Sequence, residues 1–316
     1  MSKNYYIIPV FISHQGCPHQ CVFCNQDRIA GVYDEVTAED VRERIDSYLD
    51  TMNTKNSTIE VSFFGGTFTA IPVIKQKELL AVAREYKNKG LIHKIRLSTR
   101  PDAINGYILS YLKEFKVDII ELGVQSLDDN VLRLAGRGHS AYDVENASRL
   151  IKAEGFTLGH QIMPGLPGDT KEIDLATIKK SIEMKPDIAR IYPALVIKDT
   201  PMETMYNRGE YEPYSLDMAV EVSREMLKLY NAAKVKVIRI GLQPTDTIAE
   251  GKDVVAGPFH PAFRELVEGS LICENIKEKT NESSDIIIEI NSKDISKLYC
   301  NKKQYFNEFK KNRHGK

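Results

Sequence analysis

Short β-branched runs alternate with longer amphipathic stretches over the first 240 residues. The runs are YYIIPVFIS (5–13), TIEVSFF (58–64), IHKIRLST (92–99), VDIIELGV (117–124), FTLGHQIM (156–163) and DIARIYPALV (187–196). Between them, 37–54, 73–89, 102–115, 128–153, 169–184 and 215–233 read as helices. Thr37 with Asp40 three residues on is a capping-box pattern, and Asp169 or Thr170 is placed to cap the fifth helix. Near-continuous apolar strands are buried on both faces, so six βα units predict a parallel sheet covered by helices. Units of this length suit a barrel or an open twisted sheet, and both put ligands at the carboxyl ends of the strands.

The unusual residues fall at those ends. Cys17 follows the first strand, Gly65-Gly66-Thr67 the second, Arg100 the third and Gln125 the fourth. MPGLPGD follows the fifth, and Tyr192-Pro193 lies on the sixth. One rim therefore collects the glycine, cysteine and polar features. After about residue 240 the alternation fades through GLQPTDTIAEG and GPFHPAF, and DIIIEINSKDISKLYCNKKQYFNEFKK reads as a closing strand, turn and helix. The expected division is a core at 1–240 and a C-terminal extension at 241–316.

Charge alters this picture only locally. The formal net charge is -1, which gives no global argument for a polyanion. Residues 286–316 carry eight Lys/Arg against three Asp/Glu. That basic tail is either a nucleic-acid contact or a solvated helix. No apolar run approaches the ~18 residues that span a bilayer, and the Tyr-rich start, broken by Pro9, reads as a strand rather than a signal peptide. Five cysteines, three of them clustered, make a poor disulfide framework; cytoplasmic metal or catalytic chemistry is the expectation.

Cys17, Cys21 and Cys24 form CPHQCVFC. A structural zinc wants four protein ligands, which His14 or His19 would have to complete. A four-iron cluster takes one thiolate per iron, so three leave one iron open to a small molecule. Cys273 and Cys300 stand far off in sequence, and no second CxxC follows. The spacing, with Phe23 before the third cysteine, resembles the signature of the radical SAM superfamily. That resemblance implies a partial (β/α)6 TIM-like barrel, a 4Fe-4S cluster on Cys17, Cys21 and Cys24, and S-adenosyl-L-methionine on the open iron. An external one-electron reductant of flavodoxin or ferredoxin type is implied as well. Gly65, Gly66 and Thr67 align with a motif that holds the methionine amino group, Thr67 standing where Glu is usual. Ser98 faces ribose or carboxylate, Gln125 suits sugar hydroxyls, Arg137 a carboxylate, and the loop containing Gln161 borders the adenine. Asp102 reads as a helix cap and His139 as a loop residue.

FFGGTFTAI, STRPD, ELGVQS, RGHS, MPGLPGD and RIYPALVIKDTPMETMYNRGEYEPY together resemble the radical SAM domain of the Elongator catalytic subunit, which modifies tRNA wobble uridine. Two departures stand out. The gap between the first two cysteines is shorter here, and no acetyltransferase-like domain is expected within 316 residues, so the acetyl-CoA-dependent reaction is not carried over. For an RNA substrate, Tyr192 would stack on a base and Lys198 would meet phosphate, with Arg190 nearby. A small molecule, tetrapyrrole or peptide is the alternative acceptor, and a zinc-bearing RNA-binding module the third reading.

Overall fold

The computed structural model describes residues 5–12, 17, 19–25, 35–52, 56–244, 248–249, 251–279 and 287–314. Seven parallel strands form one sheet: β1 (Tyr5–Ile12), β2 (Thr58–Gly65), β3 (Lys94–Thr99), β4 (Ile119–Gln125), β5 (Thr157–Ile162), β6 (Ile188–Ile191) and β8 (Lys236–Ile240), in the spatial order β1-β2-β3-β4-β5-β6-β8. The order follows the chain because each strand is joined to its neighbour by a crossover helix. These helices are α1 (Ala38–Thr51), α2 (Val73–Asn88), α3 (Gly106–Glu114), α4 (Asp129–Leu134), α5 (Ala141–Ala153) and α6 (Lys171–Glu183), followed by α7 (Pro201–Asn207) and α8 (Leu216–Ala232).

One face of every strand packs on these helices. On β1, Ile8, Val10 and Ile12 are buried in a core shared with Val41 and Ile45 of α1. The opposite face is concave. Arg190 of β6 stands 5.5 Å from the ring centre of Phe64 on β2, although three strands lie between, so the sheet curls into an open half-barrel.

The floor of that half-barrel is a ladder of buried ions. Arg96 donates through Nε to Glu60 at 2.6 Å and through Nη1 to Glu121 at 2.6 Å. Arg190 Nε donates to Glu121 at 3.0 Å and Arg190 Nη1 to the Tyr192 hydroxyl at 3.1 Å. Ser62 and Tyr5 donate to Glu60. Gly159 on β5 is where the Glu121 side chain lies: a Cβ there would sit 2.7 Å from Glu121 Cγ.

Several elements differ from the sequence-based expectation. A seventh strand, β8, extends the six expected. The sixth run is split, because Pro193 and the following loop end β6 at Ile191 and the chain re-forms as β7 (Val196–Ile197), antiparallel to β9 (Val254–Ala256). The stretch expected as one helix over 128–153 is two, since Gly136 and Gly138 take positive φ of 62° and 73° and a continuous helix has no such residues. α9 (Phe263–Lys279) packs Phe263, Leu266 and Val267 into the main core, where a faded pattern was expected. Of the expected closing strand, 285–286 lie outside the described residues and 287–290 take no strand pairing. α10 (Ile295–Leu298) and α11 (Cys300–His314) follow. The caps form as expected at Thr37, with its capping box, and at Thr170; Asp169 does not cap.

Candidate functional site

The cysteine loop crosses the carboxyl rim of the sheet and is tied down by backbone. Val22 N–H donates to Ala135 O at 3.0 Å, Met202 N–H to Val22 O at 2.9 Å, and Cys24 N–H closes a turn on Cys21 O at 3.0 Å. The Asn25 amide donates to Lys198 O at 3.2 Å. Val22 and Phe23 pack on a second core of Val131, Ala135, Leu166, Ala194, Val196, Met202 and Tyr211. Tyr211 in turn donates its hydroxyl to Gly165 O at 2.6 Å. So RIYPALVIKDTPMETMYNRGEYEPY forms the wall against which the cysteines are set.

The Cys17 and Cys21 thiols already meet polar groups from distant parts of the chain. The Thr67 hydroxyl lies 3.6 Å from Cys17 Sγ, and Arg137 Nη1 lies 3.5 Å from the buried Cys21 Sγ. Gly65, at φ 100°, lets β2 turn under β1: a Cβ there would lie 2.6 Å from Ile12 O, and Gly66 N–H donates to that same carbonyl at 2.6 Å. The reason for glycine is close backbone approach, and only a residue without Cβ fits.

Next to Cys21 sits a group of buried cations whose hydrogen bonds, among the described residues, are not all made. Arg137 gives Nη2 to Gly123 O at 2.6 Å but leaves Nε without a partner. Arg100 binds Asp102 through Nε at 2.9 Å and Arg137 O through Nη2 at 2.6 Å, leaving Nη1 bare. Asp102 therefore serves the arginine, and Asn105 caps α3 in its place. Gln125, forced to φ 68° at a bulge in the β4–β5 pairing, is buried with Oε1 unsatisfied. His139 is buried as well. Burial, reinforced by Arg137 and Arg100, holds its pKa down at about 3, so it is neutral. It donates from Nε2 to Val124 O at 3.2 Å, because a carbonyl only accepts, and its Nδ1 is left without a partner.

Buried polar atoms are rarely left unpaired. Four of them, on Arg100, Gln125, Arg137 and His139, gathered beside a cysteine at the strand ends mark a place for a polar ligand. They fit the expected cofactor: guanidiniums for a carboxylate, an amide for hydroxyls, a glycine turn for close backbone contact. Among the described residues no three His, Cys, Asp or Glu side chains gather around a single metal-ion position. A four-iron cluster instead takes its thiolates at separate corners. His19 lies over Gly138, with Nε2 4.0 Å from Asp102, and His14 lies outside the described residues.

Of the other sequence candidates, Ser98 and Gln161 are half-buried on β3 and β5. Tyr192 follows β6, anchored by its N–H to Ile162 O at 2.8 Å. Lys198 follows β7, and its carbonyl accepts from Asn25 of the cysteine loop. Sequence reasoning missed Asn25, Tyr211 and the ion pairs of the ladder, whose partners are 25 to 173 residues apart. It also missed a buried carboxyl pair: burial raises Asp169 to about 6, and Asp174 well above the ordinary range, with Tyr214 donating to Asp174 at 2.8 Å.

Comparison with known proteins agrees with this geometry. Residues 11–179 match the model of the radical SAM superfamily, and 186–272 that of the Radical_SAM C-terminal domain. The chain is 30% identical over 255 residues to a tRNA uridine(34) acetyltransferase of Methanocaldococcus infernus, covering 68% of this chain and 48% of that protein. It is 26% identical over 268 residues to Elongator complex protein 3 of Homo sapiens, covering 71% and 49%. The chain thus spans about half the length of the curated relatives it matches. Its fold resembles that of the solved archaeal Elp3 of Methanocaldococcus infernus, with a TM-score of 0.66 at 24% identity, over 88% of this chain and 64% of that one. The half-barrel, the CxxxCxxC loop on its rim and these matches place the chain in the radical SAM superfamily.

Proposed function

We propose that this chain is the radical-generating unit of an RNA-modifying enzyme. Cys17, Cys21 and Cys24 would hold a 4Fe-4S cluster, and Gly65, Gly66, Thr67, Ser98, Gln125, Arg137 and Gln161 would hold S-adenosyl-L-methionine beside it. A reduced cluster with this cofactor supplies reductive cleavage of the sulfonium to methionine and a 5′-deoxyadenosyl radical, the electron coming from an external flavodoxin- or ferredoxin-like donor. The chain's own work is positioning and exclusion of water. Arg137 spans Cys21 and Gly123 and is buried, so a carboxylate meeting its guanidinium would do so in a low dielectric. His139 stays neutral beside two guanidiniums and adds no charge to the site. Val22 and Phe23 shelter one side of the cysteine loop.

The observation that carries this reading is the unsatisfied cluster on Arg100, Gln125, Arg137 and His139 beside Cys21. For RNA as acceptor, the support is the relatives' tRNA-uridine activity together with Lys302, Lys303, Lys310 and Lys311, all exposed on α11. Tyr192 and Lys198 keep their proposed substrate contacts, Tyr192 as a stacking surface and Lys198 near the cysteine loop. The test is anaerobic reconstitution with iron and sulfide, followed by measurement of 5′-deoxyadenosine formed with a chemical reductant, with and without tRNA transcripts. Cleavage stimulated by tRNA and lost in Cys21→Ala is expected. Cleavage retained in Cys21→Ala overturns the cluster assignment, and stimulation by no RNA overturns the acceptor.

A further inference from the structure

Helices pack on the convex face of the sheet, and the concave face opens onto the lumen of the half-barrel. Here the concave face of β1 is bare and apolar: Tyr5, Ile7 and Phe11 are 41%, 38% and 37% exposed. Phe11 pairs directly with Phe64 on β2, their ring centres 6.1 Å apart and tilted by 40°. Across the lumen the Arg190 guanidinium lies over Phe64 at 5.5 Å. Its Nε is spent on Glu121 and its Nη1 on Tyr192; among the described residues Nη2 makes no such bond. The ladder beneath joins two carboxylates, Glu60 and Glu121, to two guanidiniums, Arg96 and Arg190, so the floor carries no net charge.

We propose that Phe11 and Phe64, closed by Arg190, are the seat of a single unpaired nucleobase of the RNA substrate. Three features select that ligand. The walls are π faces and a planar cation, which favour a flat ring over an aliphatic chain. The lining as a whole, Arg190 included, carries no net charge, which favours an uncharged heterocycle over phosphate or a polycarboxylate. The remaining N–H of Arg190 suits a ring carbonyl. Phe64 also directly precedes Gly65, so the seat opens onto the rim where Thr67 meets Cys17. The inference rests on the RNA reading above and adds where, and by which residues, the base is held. It also assigns Phe11 and Phe64 a role that sequence reasoning did not find.

The test uses an anticodon stem-loop transcript carrying 2-aminopurine at position 34, whose fluorescence is quenched by stacking. With the full chain, quenching on binding is expected. Phe11→Leu and Phe64→Leu should lose it and weaken binding roughly tenfold, within the range of one stacked base, with unchanged dependence on salt. Phe11→Tyr should restore both, and thermal melts of each variant report whether it is folded. Binding by the wild-type chain without quenching, or quenching that survives in both folded leucine variants, overturns the base seat while leaving RNA binding standing. No binding to the wild-type chain overturns the RNA reading and the seat with it.

Discussion

Arg137 Nη1 lies 3.5 Å from Cys21 Sγ while its Nη2 donates to Gly123 O at 2.6 Å. One guanidinium, 116 residues along the chain from Cys21, thus joins the cysteine loop to the end of β4, and its Nε has no partner among the described residues. Arg137→Ala is expected to weaken S-adenosyl-L-methionine binding about tenfold or more, the loss of one charge-assisted hydrogen bond. Equilibrium dialysis against reconstituted protein measures it. Gly123→Ala should give the same loss with the arginine intact, since its Cβ would sit 2.7 Å from Arg137 Nη2. Unchanged affinity in both variants would remove Arg137 from the cofactor site.

The clamp on the cysteine loop predicts a separate phenotype. Asn25→Ala removes the amide bonds to Lys198 O and Asp199 O, about 1 kcal/mol of loop order. Spontaneous loss of the cluster from reconstituted protein should run about fivefold faster, followed by the decay of visible absorbance under anaerobic chelation. The melting temperature should barely move, because the loop packs on the second core and not the main one. An unchanged decay rate would show that the side chain does not hold the loop.

The ion ladder predicts a stability effect. Arg96→Met leaves Glu60 and Glu121 buried without their shared partner. Breaking one member of such a set costs about 3–5 kcal/mol, to be read from urea denaturation. Adding Glu60→Gln to Arg96→Met should recover part of that loss, since one uncompensated charge goes. If the double variant is no better than the single, the carboxylates were not paying for burial.

His160 predicts a pH dependence. It is fully enclosed, with Ser148 Oγ at 3.0 Å and Ser181 Oγ at 2.8 Å, and burial lowers its pKa from 6.5 to about 3. The unfolded chain therefore binds a proton below pH 6.5 that the folded chain refuses until about pH 3. Stability relative to His160→Gln should be flat above pH 7 and fall by ~1.4 kcal/mol for each pH unit well below 6.5. Denaturant midpoints at several pH values give the comparison. Taking the difference cancels Asp169, whose raised pKa acts in the opposite direction over part of the same range. A difference that stays constant with pH would mean His160 is protonated in the folded protein.

The strand order and the rim were legible in the chain because both come from local pattern. Apolar runs of strand length, joined by helix-length amphipathic stretches, leave little freedom but a parallel sheet. Gly65, Arg100, Gln125 and the cysteines then fall at strand ends by counting. What failed was also local: Pro193 splits the sixth run, and glycines at 136 and 138 break a helix whose hydrophobic period runs through them. The weak pattern of α9 hid a helix whose burial comes from packing on α8 and β8.

By itself, then, the sequence determined a parallel sheet covered by helices and a three-thiol loop at its strand ends, since propensity, period and spacing are properties of neighbouring residues; the barrel, rather than an open sheet, came only with the resemblance to the radical SAM superfamily. Tertiary structure alone decided that Arg137 reaches Cys21, that Asn25 reaches the Lys198 carbonyl, and that Arg190 closes over Phe64. These contacts join residues 116, 173 and 126 positions apart, through the curl of a sheet. No local preference encodes such a distance; only the cost of leaving buried charge and backbone unpaired selects it.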